Sequence, residues 1–282
     1  RPYFAWRRQH DVELPAKPDD TWLPADESPT APSGIPACYS DTSYATEHGL
    51  AYLRGMQGRP WALHLGYYRP HPPFIAPAPY NAAYDPEEVP APARAANATQ
   101  EGAQHPMLEH YLGHITQRKF FENGVGLGCE MDEDAVRAMR SAYYGLIAEV
   151  DEHLGRVIGY LKESGQYDDT LIVFTSDHGE QLGDHHLLGK LGYFDESYHV
   201  PMVVRDPRAT ADGARGAIVD SFTEAVDVMP TILDWLGVTK PRECAGASLM
   251  PFIRGETPTD WRHEVHWEYD FRPYYADAGT PP

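Results

Sequence analysis

Residues 134–163, DAVRAMRSAYYGLIAEVDEHLGRVIGYLKE, place apolar side chains three or four positions apart for about seven turns. Val136, Met139, Tyr143, Leu146, Ile147, Val150, Leu154, Val157, Ile158 and Leu161 make one stripe. That stripe predicts a long amphipathic helix lying on a sheet or on another helix. Gly165 ends it, and DDTLIVFTS (168–176) follows as a continuous apolar run, the pattern of a strand buried on both faces. VPMVVRD (200–206) reads as a second short strand, and SFTEAVDVMPTILDWLG (221–237) as a turn and a helix stopped by Gly237. Alternation of this kind predicts an α/β fold with a mostly parallel sheet flanked by helices.

Upstream the signals are weaker. Residues 1–40 are rich in Pro, Asp and Trp without a sustained period, which predicts an irregular lead-in, with the folded portion spanning 41–282. Residues 41–57 read as a helix capped by Asp41 or Thr42. PWALHLGYY (60–68) reads as a strand, and RPHPPFIAPAPY (69–80) as an extended loop, because Pro recurs too densely for helix or central strand. Residues 81–130 read as mostly loop with a short helix near 105–120.

A chain of 282 residues can bury a sizeable core. Its formal net charge of −19 argues against nucleic acid or an anionic membrane as a partner. An anionic substrate would also be repelled, unless a bound cation and local Lys or Arg reverse the field at the site. No run of 18 apolar residues predicts a membrane span. Cys38, Cys129 and Cys244 are widely separated and form no CxxC pair, so a reducing, cytoplasmic setting is expected. The chain opens Arg1-Pro2-Tyr3 without a signal pattern, and is expected to be cut from something longer.

The apolar run at 168–176 stops in Asp177-His178-Gly179-Glu180, and Asp184, His185, His186 and Lys190 follow within twelve residues. In open α/β sheets ligands bind beyond the carboxyl ends of strands. Asp177 and His178 can ligate one cation if the turn at Gly179 splays them to the same side, an oxygen and nitrogen set suited to Mn²⁺ or Zn²⁺ and, less well, Ca²⁺. Taken alone, Asp177 could as well cap a helix beginning at Gly179, with His178 on the surface. His185 and His186 read as loop residues rather than ligands, Lys190 as a solvated lysine, and His71 as a satisfied histidine between prolines.

Together these segments resemble a known family. TSDHGEQLGDHHLLGKLGYFDESYHVPMVVRDP (175–207) is similar to the signature region of sulfatases in the alkaline phosphatase superfamily, and within it to the phosphonate monoester hydrolases. YYRPHPPF resembles the family's loop with an active-site histidine, and SFTEAVDVMPTILDWLG, GASLMPFIRG and HEVHWEYDFR resemble segments that follow in order, over residues 40–275. The resemblance implies that Asp177 and His178 ligate a divalent metal, Mn²⁺ foremost with Ca²⁺ or Zn²⁺ as alternatives. It implies that Lys190 contacts a non-bridging substrate oxygen, and that His71 touches the oxyanion or protonates the leaving group. The implied activity is hydrolysis of small anionic esters, phosphonate monoesters first, with phosphodiesters or sulfate esters beside them, in a homo-oligomeric full-length parent.

Two departures qualify that reading. His199 stands where related sulfatases more often show Arg, a position expected to support the loop. Family members also carry a nucleophile in a Cys/Ser-x-Pro-x-Arg motif, oxidised to formylglycine, and a further metal-binding Asp; the motif does not occur here, and residues 1–40 offer no candidate for the Asp. The chain is therefore expected to be the C-terminal portion of such an enzyme, inactive by itself. A non-catalytic relative that binds an anion, a metal or a protein stays open, as does a different metal-dependent member of the superfamily.

Overall fold

The computed structural model describes residues 2–14, 23–25, 30–121 and 123–268; the last part of HEVHWEYDFR, from Tyr269, lies outside them. The described parts of Arg1–Asp168 and Ser176–Pro201 form one compact unit, and those of Asp169–Thr175 and Met202–Pro282 another.

The first unit is helical. Residues 2–9 form helix α1 (Pro2–Gln9), where composition suggested irregular chain. Tyr3 and Trp6 supply the reason, since both rings pack on Tyr44 of the next helix, a tertiary contact that local composition does not report. Helix α2 (Asp41–Gly55) is capped by Ser40, whose Oγ accepts from the Ser43 amide at 3.0 Å. Ser40 takes the role expected of Asp41 or Thr42 because its extended backbone aims the hydroxyl at a free amide. Asp41 sits one residue inside, where its charge faces the helix N-terminus. Two short helices follow, α3 (Ala98–Gly102) and α4 (Pro106–Leu112).

Helix α5 (Glu133–Glu163) realises the periodic stripe, capped by Asp132 through a 2.8 Å bond from the Ala135 amide. Val136, Met139 and Leu146 are almost fully buried, each contributing about 1.5–3 kcal/mol of transfer free energy. Gly145 lets α5 approach the turn at 80–82, since a Cβ there would lie 2.4 Å from the Tyr80 carbonyl oxygen. Against α2, His153 Nδ1 lies 2.9 Å from Thr46 Oγ1, which is in turn 3.0 Å from the Tyr67 hydroxyl.

Residues 60–68, expected as a strand, alternate half-buried and exposed from 61 on but join no ladder among the described residues. The period-2 pattern is present; the partner that would make it a strand is not among them.

In the second unit, β1 (Ile172–Thr175) pairs with β2 (Met202–Arg205) in antiparallel register, from Ile172 opposite Arg205 to Thr175 opposite Met202. A largely parallel sheet was expected, and the ladder among the described residues is this antiparallel pair. Burial on both faces of β1 is not met among the described residues either, because Phe174 is 39% exposed and Val203 opposite it 59%. An apolar run states that a strand needs cover, not which segment supplies it. Helix α6 (Val228–Trp235) ends at Gly237, whose φ of 71° permits the closing turn. The unit centres on buried Asp227, which receives the Arg262 guanidinium on both oxygens at 2.6 Å.

One acid in the first unit is compensated only in part, by the Arg69 charge and the Ser40 hydroxyl near it. Glu149 of α5 is fully buried, neither carboxylate oxygen meets a hydrogen-bond partner among the described residues, and burial pushes its pKa up to about 7. The folded state therefore holds this proton to higher pH than the unfolded chain, whose ordinary value is 4.5. Its stabilisation is full below that value and is lost as pH rises through about 7. Glu149→Gln, which cannot ionise, is expected to gain about 3 kcal/mol over the native chain in urea unfolding at pH 8.5 and little at pH 5. Equal gains at both pH values would contradict this.

Candidate active site in the loop after β1

Chain leaving β1 re-enters the first unit at Ser176. Ser176 Oγ donates to the His178 carbonyl at 2.7 Å, and the Gly179 amide donates to the Ser197 carbonyl at 2.8 Å. Gly179 is required here, because a Cβ would fall 2.0 Å from the Glu196 carbonyl oxygen. No helix begins at this point, so the reading of Asp177 as a helix cap does not hold.

The next residues anchor the loop. Gln181 is fully buried and donates through Nε2 to Ser197 Oγ at 2.7 Å and to the Leu191 carbonyl at 3.2 Å. Glu180 accepts from the Gly189 amide; burial raises its pKa to about 7, against the pull of those amide bonds and of Lys190. Arg140 of α5 clamps the far side, donating to the carbonyls of Leu182 and Pro90 and to Asp184 Oδ1 at 3.0, 3.0 and 2.6 Å.

His185 and His186 do serve the loop. His185 stacks on Phe194 with ring centroids 3.5 Å apart and reaches Glu101 Oε1 at 3.0 Å, while His186 Nε2 donates to the Ala95 carbonyl at 2.8 Å. The Glu101 carboxyl stays below its usual range: burial opposes this, but the Ala95 amide, His185 and Gln104 outweigh it.

This scaffold brings three of the four expected site residues together. His178 Nδ1 lies 2.8 Å from the Gly179 carbonyl, which can only accept, so the ring carries its proton there. Nε2 is left with its lone pair, and the Lys190 ammonium donates to it at 2.8 Å. Asp177 Oδ2 lies 3.6 Å from the same nitrogen on a carboxylate that is 86% exposed. That separation suits two ligands of one cation with bonds of roughly 2.1 Å. The donor set fits a divalent cation in kind but is two groups only, since no cluster of three metal-capable residues occurs among the described residues.

His71 stands apart. Its amide donates to the Tyr68 carbonyl at 3.0 Å, its ring packs on Tyr68 at 4.4 Å, and its Nδ1–H donates to the Pro72 carbonyl at 2.8 Å. No described hydrogen bond or ion pair joins it to Asp177, His178 or Lys190. Of the aromatic residues near His71 in sequence, Phe74 is core at 3% exposure, Tyr80 donates to Glu152 at 2.7 Å and Tyr67 is tied to Thr46, while Tyr68 is exposed beside His71.

Sequence reasoning passed over Gln181 and Arg140, and took Gly179 only as a turn and Glu180 only as part of a charged stretch. Arg140 alone left a signal, a charge standing beside Met139 and Tyr143 on the apolar stripe of α5.

Gly179→Ala is expected to cost about 2 kcal/mol in urea unfolding, the penalty of forcing a methyl group into a filled space. Unchanged stability would contradict the close approach to Glu196.

The sulfatase family model matches residues 9–238. The multifunctional alkaline phosphatase superfamily protein PehA of Trinickia caryophylli is 52% identical over 280 residues, covering 98% of this chain and 54% of that protein. The phosphonate monoester hydrolase structure of Agrobacterium radiobacter superposes with a TM-score of 0.90 at 38% identity, over 99% of this chain and 56% of that one. The corresponding enzyme of Silicibacter pomeroyi gives 0.84 at 39% identity, over 93% and 51%. The chain thus spans about half the length of the relatives it matches, and the α/β sulfatase-type architecture expected of it is shown. On these grounds the chain belongs to the sulfatase family of the alkaline phosphatase superfamily, with phosphonate monoester hydrolases among its near structural neighbours.

Proposed function

We propose that this chain is the metal- and anion-binding part of a hydrolase of phosphonate monoesters, with sulfate esters and phosphodiesters as further substrates. The observation that carries the reading is the Lys190 ammonium on His178 Nε2, with the Asp177 carboxylate beside it. A lysine in hydrogen-bond contact with the free nitrogen of a histidine marks a point where positive charge is favoured, in a chain of net charge −19.

Asp177 and His178 are the residues that would hold a divalent cation, Mn²⁺ foremost. When bound, that ion supplies a Lewis acid that neutralises substrate charge. Lys190 turns from His178 to a non-bridging oxygen of the ester, where its charge counts most as the transition state spreads negative charge over those oxygens. His71, with Nδ1–H committed to Pro72, presents Nε2, and when protonated there it can donate to the leaving oxygen. The nucleophile is supplied by sequence outside these residues, since no Cys/Ser-x-Pro-x-Arg occurs within them. That same absence favours a second reading, a relative that binds anions without turnover.

Two experiments separate these readings. Hydrolysis of p-nitrophenyl phenylphosphonate with Mn²⁺ by the full-length enzyme is expected to fall about 10²–10³-fold in Lys190→Ala and about 10²-fold in His71→Ala. A folded full-length protein without turnover would shift the reading to the anion-binding relative. Calorimetric titration of Mn²⁺ into the present chain is expected to show one weak site, lost in Asp177→Ala and in His178→Ala. Binding that survives both substitutions would exclude the pair as ligands.

A further inference from the structure

The loop carrying His71 is held from behind by a buried arginine. Arg69 is 6% exposed, and its Nη1 donates to the carbonyls of His71 and Pro73 at 3.1 and 2.9 Å. These two carbonyls bracket the Pro72 carbonyl, the one that receives the His71 Nδ1–H at 2.8 Å. Two anchored peptide groups leave the intervening one little freedom, so whatever fixes Arg69 also fixes the acceptor that decides which ring nitrogen of His71 bears the proton.

Arg69 is in turn held by a polar cavity inside the first unit. Its Nε faces Asp41 Oδ1 at 3.4 Å. Asp41, Arg69, Ser40 and Glu149 line a space of about 10 Å³, room for the centre of one water molecule. Glu149 is fully buried, and neither of its oxygens meets a partner among the described residues. Buried carboxyl oxygens are costly to leave unbonded, and a site that is polar and one water wide meets the requirement for a bridging molecule. The cavity thus ties α5, through Glu149, and the start of α2, through Ser40 and Asp41, to the back of the His71 loop.

We propose that Arg69 is the positioning residue of His71, and that the Asp41–Glu149 cavity, holding one water molecule, is its support. The proposal rests on the reading of His71 as a catalytic residue. A purely structural role for Arg69 would require a stable unit but no particular state of the His71 ring. The positioning role requires that the ring's neutral tautomer depend on Arg69.

The test is nitrogen NMR of the present chain with ¹⁵N-labelled histidine, the His71 signals being assigned by their loss in His71→Gln. In the native chain the neutral His71 ring is expected to show a protonated Nδ1 and an unprotonated Nε2. In Arg69→Met the two nitrogen shifts are expected to move toward each other as both tautomers become populated, with Arg69→Lys restoring part of the difference. Glu149→Met, which keeps the length of the side chain but removes both oxygens, is expected to move them in the same direction. Should Arg69→Met fail to fold, Asp41→Asn loosens the hold on Nε within an unchanged shape and is expected to give a smaller shift of the same sign. Native shifts in a folded Arg69→Met chain, or in Asp41→Asn where that variant replaces it, would overturn the proposal, and native shifts in Glu149→Met would remove the cavity from it. In the full-length enzyme, Arg69→Met is expected to lower kcat about tenfold while KM stays within about twofold. A changed tautomer in a protein without hydrolytic activity would leave the positioning role standing and overturn the proposed reaction instead.

Discussion

The approach of Gly179 to the Glu196 carbonyl decides how the loop bearing Asp177, His178 and Lys190 can run. A side chain of any size at position 179 would meet that oxygen, so the strand's exit can turn beneath the 195–198 helix only as glycine. The bond from the Gly179 amide to Ser197 then fixes the direction in which the two preceding side chains leave the backbone. Asp177 and His178 are adjacent in sequence and end up sharing one locus. Gln181, bonded to Ser197 and Leu191, locks the return path that brings Lys190 back over His178. The loop is thus framed by bonds from Gln181 to Ser197 and Leu191 and from Arg140 to Leu182.

Electrostatics supports the proposed anion site in an acidic protein. The Gly179 carbonyl sets the His178 tautomer and leaves a bare nitrogen facing outward. A lysine now occupies that nitrogen, and Arg140 neutralises Asp184 at the rear of the loop at 2.6 Å. Glu101 and Glu180 are engaged by amides, and Glu196 Oε2 lies 3.6 Å from the His185 ring. Negative charge is met at these positions, while Asp177 and Lys190 stay exposed beside His178.

Much of this was legible beforehand, and what was not shares a cause. Helix α5 was readable because thirty residues of one period leave no other solution, and Asp177, His178 and Lys190 were readable as a group because polar, ligand-capable residues crowd the end of an apolar run. Side chains that act by meeting distant backbone were invisible: Arg140 reaches 42 residues along the chain to Leu182, and Gly179 answers to a carbonyl 17 positions later. Arg69 was in plain view beside His71, but nothing local says that a buried guanidinium would choose the carbonyls on either side of Pro72. The segment 61–68 shows the opposite failure, since its alternation was correct and strand pairing is a property of two segments. Ser40 outdid Asp41 as a cap for a similar reason, because backbone direction, which composition does not carry, selects the capping oxygen.

The central claim is that Asp177, His178 and Lys190 exchange their mutual contacts for a cation and an anion. A crystal structure of the full-length enzyme soaked with Mn²⁺ and vanadate, with anomalous data at the manganese edge, tests it most directly. The account predicts manganese bonded to Asp177 and His178 Nε2, and Lys190 moved from that nitrogen onto a vanadate oxygen. Manganese bound elsewhere, or Lys190 still seated on His178 with both ligands present, would contradict it.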